Sequence, residues 1–223
     1  MAFSDPIDIY CERLGPAFWA EPANALTNAA FLVAAAAAWM LATPDAKRDP
    51  LVRTLIAVLA LIGFGSFAFH TLATRGAVLL DVIPIAIFIH LYFYAGLRRF
   101  LSLPVLTSIV ATIVFFVAGL AIGQAGQGKL NGSISYAPAV IGLLIMAAAT
   151  YFSSSAAAKH ARAVPRLLGI GFVFLVSLTF RTIDDAVCSA WPLGTHFLWH
   201  VLNALVLYLL VRLLCDTTDA ARA

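Results

Sequence analysis

Three histidines, a serine and an aspartate stand where polar side chains are rare. Ser66 and His70 are four residues apart in Gly65-Ser66-Phe67-Ala68-Phe69-His70, and His196 and His200 repeat that spacing in Thr195-His196-Phe197-Leu198-Trp199-His200. On a helix, residues four apart share a face about 6 Å from one another, so each pair can reach one ligand. Both runs are strongly apolar, and burying imidazole, hydroxyl or carboxylate in hydrocarbon costs several kcal/mol unless a partner compensates. Asp81 is a lone carboxylate in a third such run. A ligand shared by all five residues accounts for their placement most simply.

Three imidazoles offer three nitrogen ligands and leave a coordination position open, as in a catalytic zinc site and unlike the closed shell of a structural one. Zinc lowers the pKa of the water it binds to near ~7. Asp81 could then accept a proton and pass it to a leaving amine, while Ser66 could donate a hydrogen bond to the water or to an oxyanion. The residues alone also allow a bland account, in which Ser66 bonds back to its own helix and Asp81 pairs with Arg75 or Arg181. His90, nine residues beyond Asp81, reads as a helix-packing residue.

The elements that must carry these residues are membrane spans. Of 223 residues, 62% are hydrophobic and 11% charged, with mean hydropathy +0.96, a composition of integral membrane proteins. The net charge of +3 is too small to argue for a nucleic-acid partner. Apolar runs long enough to cross ~30 Å of hydrocarbon occur near 24–43, 51–73, 77–97, 103–123, 137–157, 165–183 and 195–215. The expected fold class is therefore all-α, a seven-transmembrane helix bundle forming one domain over 1–223, with 1–23 as an acidic segment ahead of it. That segment lacks the basic start and apolar centre of a signal peptide and reads as part of the mature protein.

Basic residues set the orientation. Lys47, Arg48, Arg53, Arg98, Arg99, Lys159, Arg162, Arg166, Arg212 and Arg222 fall in one set of connectors, and Arg13, Arg75, Lys129 and Arg181 in the other. The excess predicts an N-terminus outside and a C-terminus in the cytoplasm. His70, Asp81, His196 and His200 then share one depth near the outer face, in the inner membrane if the cell is bacterial.

With these residues assembled, the chain resembles the alkaline ceramidases, whose superfamily includes the progestin/adipoQ receptors and the Per1-type lipid-remodelling proteins. The likeness lies in Ser66-x3-His70, Asp81 eleven residues later and His196-x3-His200 on the last span. It extends to the opening stretch, where Tyr10-Cys11-Glu12 and Phe18-Trp19-Ala20-Glu21-Pro22-Ala23-Asn24 are similar to the family's motif. The resemblance implies zinc at His70, His196 and His200, with Ser66 and Asp81 catalytic. It also implies calcium beside the zinc site, and here it carries over in part. Glu12 and Glu21 fall at matching positions, but Ile9-Tyr10 replaces the family's Asp-Trp and leaves Asp8 one residue out of step. A hard cation wants about six oxygens, for which Asp8, Glu12, Glu21 and Asn24 are the candidates. Cys11 matches the motif's cysteine, and an oxidising outer compartment would permit its disulfide with Cys188, pinning the opening segment over the site; Cys215 stays free.

The expected activity is zinc-dependent hydrolysis of the N-acyl bond of ceramide or a similar membrane lipid. The same ligands would equally serve a lipid esterase of the superfamily, or a receptor in which zinc is structural.

Overall fold

The computed structural model describes residues 2–153 and 157–222, without the side chains of 157–162 and 218–222. Lys159, Arg162 and Arg222, counted above for orientation, therefore have side chains outside the described residues, as do residues 154–156 at the end of the expected fifth span. The helices are α1 (Pro22–Thr27), α2 (Ala29–Leu41), α3 (Pro44–Arg48), α4 (Pro50–Leu72), α5 (Arg75–Arg99), α6 (Val105–Ala125), α7 (Ala137–Phe152), α8 (Ala157–Val187) and α9 (His196–Arg222). Seven segments are long and apolar enough to cross a membrane: Pro22–Leu41, Pro50–Leu72, Arg75–Arg99, Val105–Ala125, Lys129–Phe152, Ala163–Val187 and His196–Thr217. The protein is an all-α, multi-pass integral membrane protein.

The periodicity of α4 and α9 carries the core straight into the polar residues. On α4, Val52, Leu55, Leu59 and Ile62 are buried at three- and four-residue intervals, and the same stripe continues through Ser66 to His70. On α9, Leu214, Val211, Leu207 and Ala204 form the matching stripe, which runs back through Asn203 and His200 to His196. Each helix thus packs the bundle with one end of a face and presents its imidazoles with the other.

The approach of α5 to α4 depends on a missing side chain. A Cβ on Gly65 would lie 1.9 Å from the carbonyl oxygen of Leu80, far inside any real contact. That carbonyl is the one Pro84, four residues on, cannot hydrogen-bond, because proline has no N–H. The freed carbonyl and the bare glycine meet, and the next residue on each helix, Ser66 and Asp81, are brought side by side. Gly65→Ala should separate the two helices, lowering stability by about 1–3 kcal/mol and cutting activity even in the folded fraction. Thermal unfolding in detergent and an assay of the soluble fraction check both effects.

A two-residue turn joins these helices. Ala73 takes the left-handed conformation, φ 45°, with its N–H on Phe69 O, and Thr74 caps α5 by accepting from Ala77 N at 3.2 Å. The opening segment runs along this turn, with Ile7 N on Ala73 O at 2.7 Å and Arg75 N on Asp5 O at 3.0 Å.

The connector before α7 has regular structure of its own: residues Lys129–Tyr136 form a 3-10 turn, with Leu130, Asn131 and Gly132 all at positive φ. Arg181 of α8 holds it, donating through Nη1 to Asn131 O at 2.5 Å and Ser133 Oγ at 3.0 Å. A long-range guanidinium leaves no trace in local composition.

Candidate metal centre

The three histidines meet. His70 from the end of α4 and His196 and His200 from the start of α9 have ligand nitrogens within 4.8 Å of one another, and all three are buried. Their ring centroids lie 4.6–5.2 Å apart. Among the described residues this is the one group of three or more metal-ligating side chains so arranged. Nε2 of His70, Nδ1 of His196 and Nε2 of His200 are buried with no hydrogen-bond partner, and so is Oδ1 of Asp81. Buried polar atoms are nearly always paired, so three orphaned nitrogens in one place, with the Asp81 carboxylate in electrostatic reach of His70, point to something that pairs them. The donor set suits zinc: three imidazole nitrogens, one short of the four ligands of a closed tetrahedral shell.

The ring orientations are set from outside. His70 Nδ1 faces Glu21 Oε2 at 2.6 Å, which turns Nε2 inward. His200 Nδ1 is 3.0 Å from Thr27 Oγ1. The Thr27 hydroxyl also donates to Ala23 O at 2.7 Å, shared with Asn24 O at 3.1 Å, and with its proton there its lone pair faces His200 Nδ1. His200 then carries its proton on Nδ1 and leaves Nε2 as a lone pair, the arrangement metal-bound histidines take from their outer partners. Thr27→Val removes that acceptor and is expected to weaken metal affinity ~10–100-fold, as measured by competition with a chromogenic chelator.

His196 is held by stacking and by its backbone. Its ring lies on that of Tyr10, centroids 3.7 Å apart. Its N–H and that of Thr195 both donate to Asp184 Oδ1, at 2.9 and 2.6 Å. The other oxygen of Asp184 takes Cys11 N at 3.1 Å. One buried carboxylate at the end of α8 therefore caps α9 at its positive end and fastens the opening segment. The fit leaves no room at Gly194, φ 67°, where a Cβ would lie 2.2 Å from Asp184 Oδ1. Next to this junction the Cys11–Cys188 disulfide is formed, with Cα atoms 5.2 Å apart, and Cys215 takes no part in it.

Ser66 hydrogen-bonds the Asp81 carboxylate, which fixes one oxygen and leaves Oδ1 open. Neither bland partner for Asp81 is realised as an ion pair. Arg75 lies 3.8 Å from Asp5, and Arg181 is spent on the 131–133 backbone and hydroxyl and on the Tyr10 and Tyr136 side chains. His90 lies apart from the cluster, its Nδ1 on Ala86 O and its ring against Phe115 and Phe116.

The four candidate calcium ligands do not converge in the same way. Asp8 is exposed. Both oxygens of Glu12 accept backbone N–H groups at the start of α1, from Ala23 at 2.6 Å and Asn24 at 2.8 Å. Glu21 is divided between Arg13 Nε on one oxygen and His70 Nδ1 and Asn24 Nδ2 on the other. Burial pushes its carboxyl pKa up, but the bonds to His70, Arg13 and Asn24 outweigh that and hold it below the usual carboxylate range. Thr27, Asp184 and Arg13 were not singled out from sequence, although all three lie within or beside the stretches that were.

An apolar cavity lies deeper in the bundle. Ile85, Phe88 and Tyr92 of α5, Leu143 and Met146 of α7, and Val206, Leu207 and Leu210 of α9 line it. Tyr136 lines it too, and the same ring contacts Trp199 and lies under the Arg181 guanidinium. A second, more open groove between α5 and α6 shares Ile85, Ile89, Phe115, Tyr136 and Ala139 with it.

Residues 10–221 match the sequence model of the Ceramidase family. No curated protein matches the chain.

Proposed function

Since the chain belongs to the Ceramidase family, we propose that it is a zinc-dependent amidase hydrolysing the N-acyl bond of ceramide or a similar N-acylated lipid to a fatty acid and a long-chain amine. The observation that carries this reading is the convergence of three partnerless imidazole nitrogens, with the partly unpaired Asp81 carboxylate in electrostatic reach of His70.

His70, His196 and His200 would hold the ion. A divalent zinc there supplies Lewis acidity, polarising a carbonyl and lowering the pKa of a water. Asp81 works as the proton carrier: Oδ1 accepts a proton as water oxygen bonds to the amide carbon, and returns it to the nitrogen as the C–N bond breaks. Ser66 keeps the other carboxylate oxygen occupied, so the proton has one place to go. The apolar groove along α5 and α6 would take hydrocarbon chain from the bilayer.

The site faces the outer side of the membrane, with the N-terminus outside and the C-terminus cytoplasmic. The distribution of lysine and arginine supports this, as does the disulfide, which belongs on the oxidising side.

Purified protein incubated with ceramide should release fatty acid and long-chain amine in equal amounts, with about one zinc per chain by elemental analysis. Cleavage confined to ester-linked lipids would overturn the amide assignment, and absence of zinc would overturn the metal.

A further inference from the structure

The resemblance of the opening segment implies a calcium ion, yet the side chains that would bind it are already engaged. Glu12 serves two backbone N–H groups, Asp8 is exposed, and Glu21 is occupied on both oxygens. Among the buried members of the set, the one side-chain oxygen left without a partner is Asn24 Oδ1, and that neutral oxygen falls far short of the six to eight that calcium takes.

What lies among these oxygens is a guanidinium. Arg13 is only 6% exposed. Its Nε donates to Glu21 Oε1, Nη1 to Gly15 O at 2.9 Å and Nη2 to His70 O at 2.9 Å. One carboxylate and two backbone carbonyls from three parts of the chain converge on it, the kind of shell a bound cation gathers. Two of those contacts lead to one residue. Arg13 holds His70 by its backbone oxygen, and through Glu21 it holds the His70 ring by Nδ1.

We propose that Arg13 is a tethered cation that replaces calcium in this chain: it neutralises Glu21, fixes His70 at backbone and ring, and leaves the opening segment with no divalent-ion site. A guanidinium stays charged at all physiological pH values and cannot dissociate from its site. The chain should therefore be indifferent to calcium. The effect of Arg13 on the metal rests on the reading of His70 as a ligand, whereas the exclusion of calcium does not.

The test begins with the full-length, zinc-loaded protein in detergent. Titrated with calcium chloride into the millimolar range, it should bind no radioactive calcium saturably and show an unchanged unfolding temperature. Saturable uptake of about one calcium per chain overturns the proposal. Arg13→Asn exposes Glu21 Oε1 beside the Gly15 and His70 carbonyls. This variant should bind zinc ~10–100-fold more weakly and gain an unfolding temperature that rises with calcium; Arg13→Lys, which keeps the charge, should recover part of the zinc affinity without that calcium response. Wild-type zinc affinity in Arg13→Asn overturns the positioning role. If that variant does not fold, the wild-type titration still decides the calcium question. Wild-type protein that holds no zinc sinks the reading of the histidines and leaves the calcium result standing.

Discussion

His200→Ala is expected to leave a folded protein that neither retains zinc nor hydrolyses its lipid. The imidazole contributes one of three nitrogens, and two are too few to hold the ion at the trace concentrations outside a chelating buffer. Lewis-acid assistance is worth several kcal/mol, so the rate should fall by ~10³-fold or more. The surroundings of residue 200 favour a folded variant. The site is already polar, Thr27 keeps its bonds to Ala23 and Asn24 oxygens, and the core stripe of α9 from Ala204 onward is untouched. Elemental analysis beside an assay of fatty-acid release reads both parts, and an active variant without zinc would remove the metal from the mechanism.

Asp81→Asn separates acid–base chemistry from metal binding. Asparagine keeps the shape and a hydrogen bond to Ser66 but cannot take up a proton at neutral pH. The expected loss in kcat is ~10²–10⁴-fold, with zinc content unchanged and KM little altered. A purely structural zinc has no use for a proton acceptor beside an open position. Full activity in this variant would therefore return the site to a stabilising role.

The histidine cluster was legible in the sequence because α4 and α9 are so apolar. Four polar residues at four-residue spacing stand out in such runs, and the helical period assigns them to the face that also carries Leu59 and Ile62, or Leu207 and Val211. The placement of Asp81 beside Ser66 was legible only as a likeness of pattern. Its physical cause is a carbonyl released by Pro84 meeting Gly65 across a helix pair, and neither residue announces the other in sequence. The supports of the site were harder still. Thr27 and His200 are 173 residues apart, as are Cys11 and Asp184, and His70 and Glu21 are 49 apart. Such contacts obey no local period; they arise when the opening segment folds back over the bundle. For the same reason Glu21 was read as a calcium ligand and Arg13 as one basic residue in a charge count. A buried pair formed across one turn of irregular chain looks, in sequence, like two solvated charges.

The disulfide joins residues 177 positions apart, and the histidines divide between the first third of the chain and its last helix. A ribosome makes these pieces in order. When His70 emerges it can already be gripped by Glu21 and Arg13, but its fellow ligands are some 125 residues from being made. The half-finished protein is thus a hydrophobic scaffold holding one imidazole of the three. The three-histidine cluster is assembled only with the closing helix, so on the proposed function lipid cleavage waits until membrane insertion is all but complete.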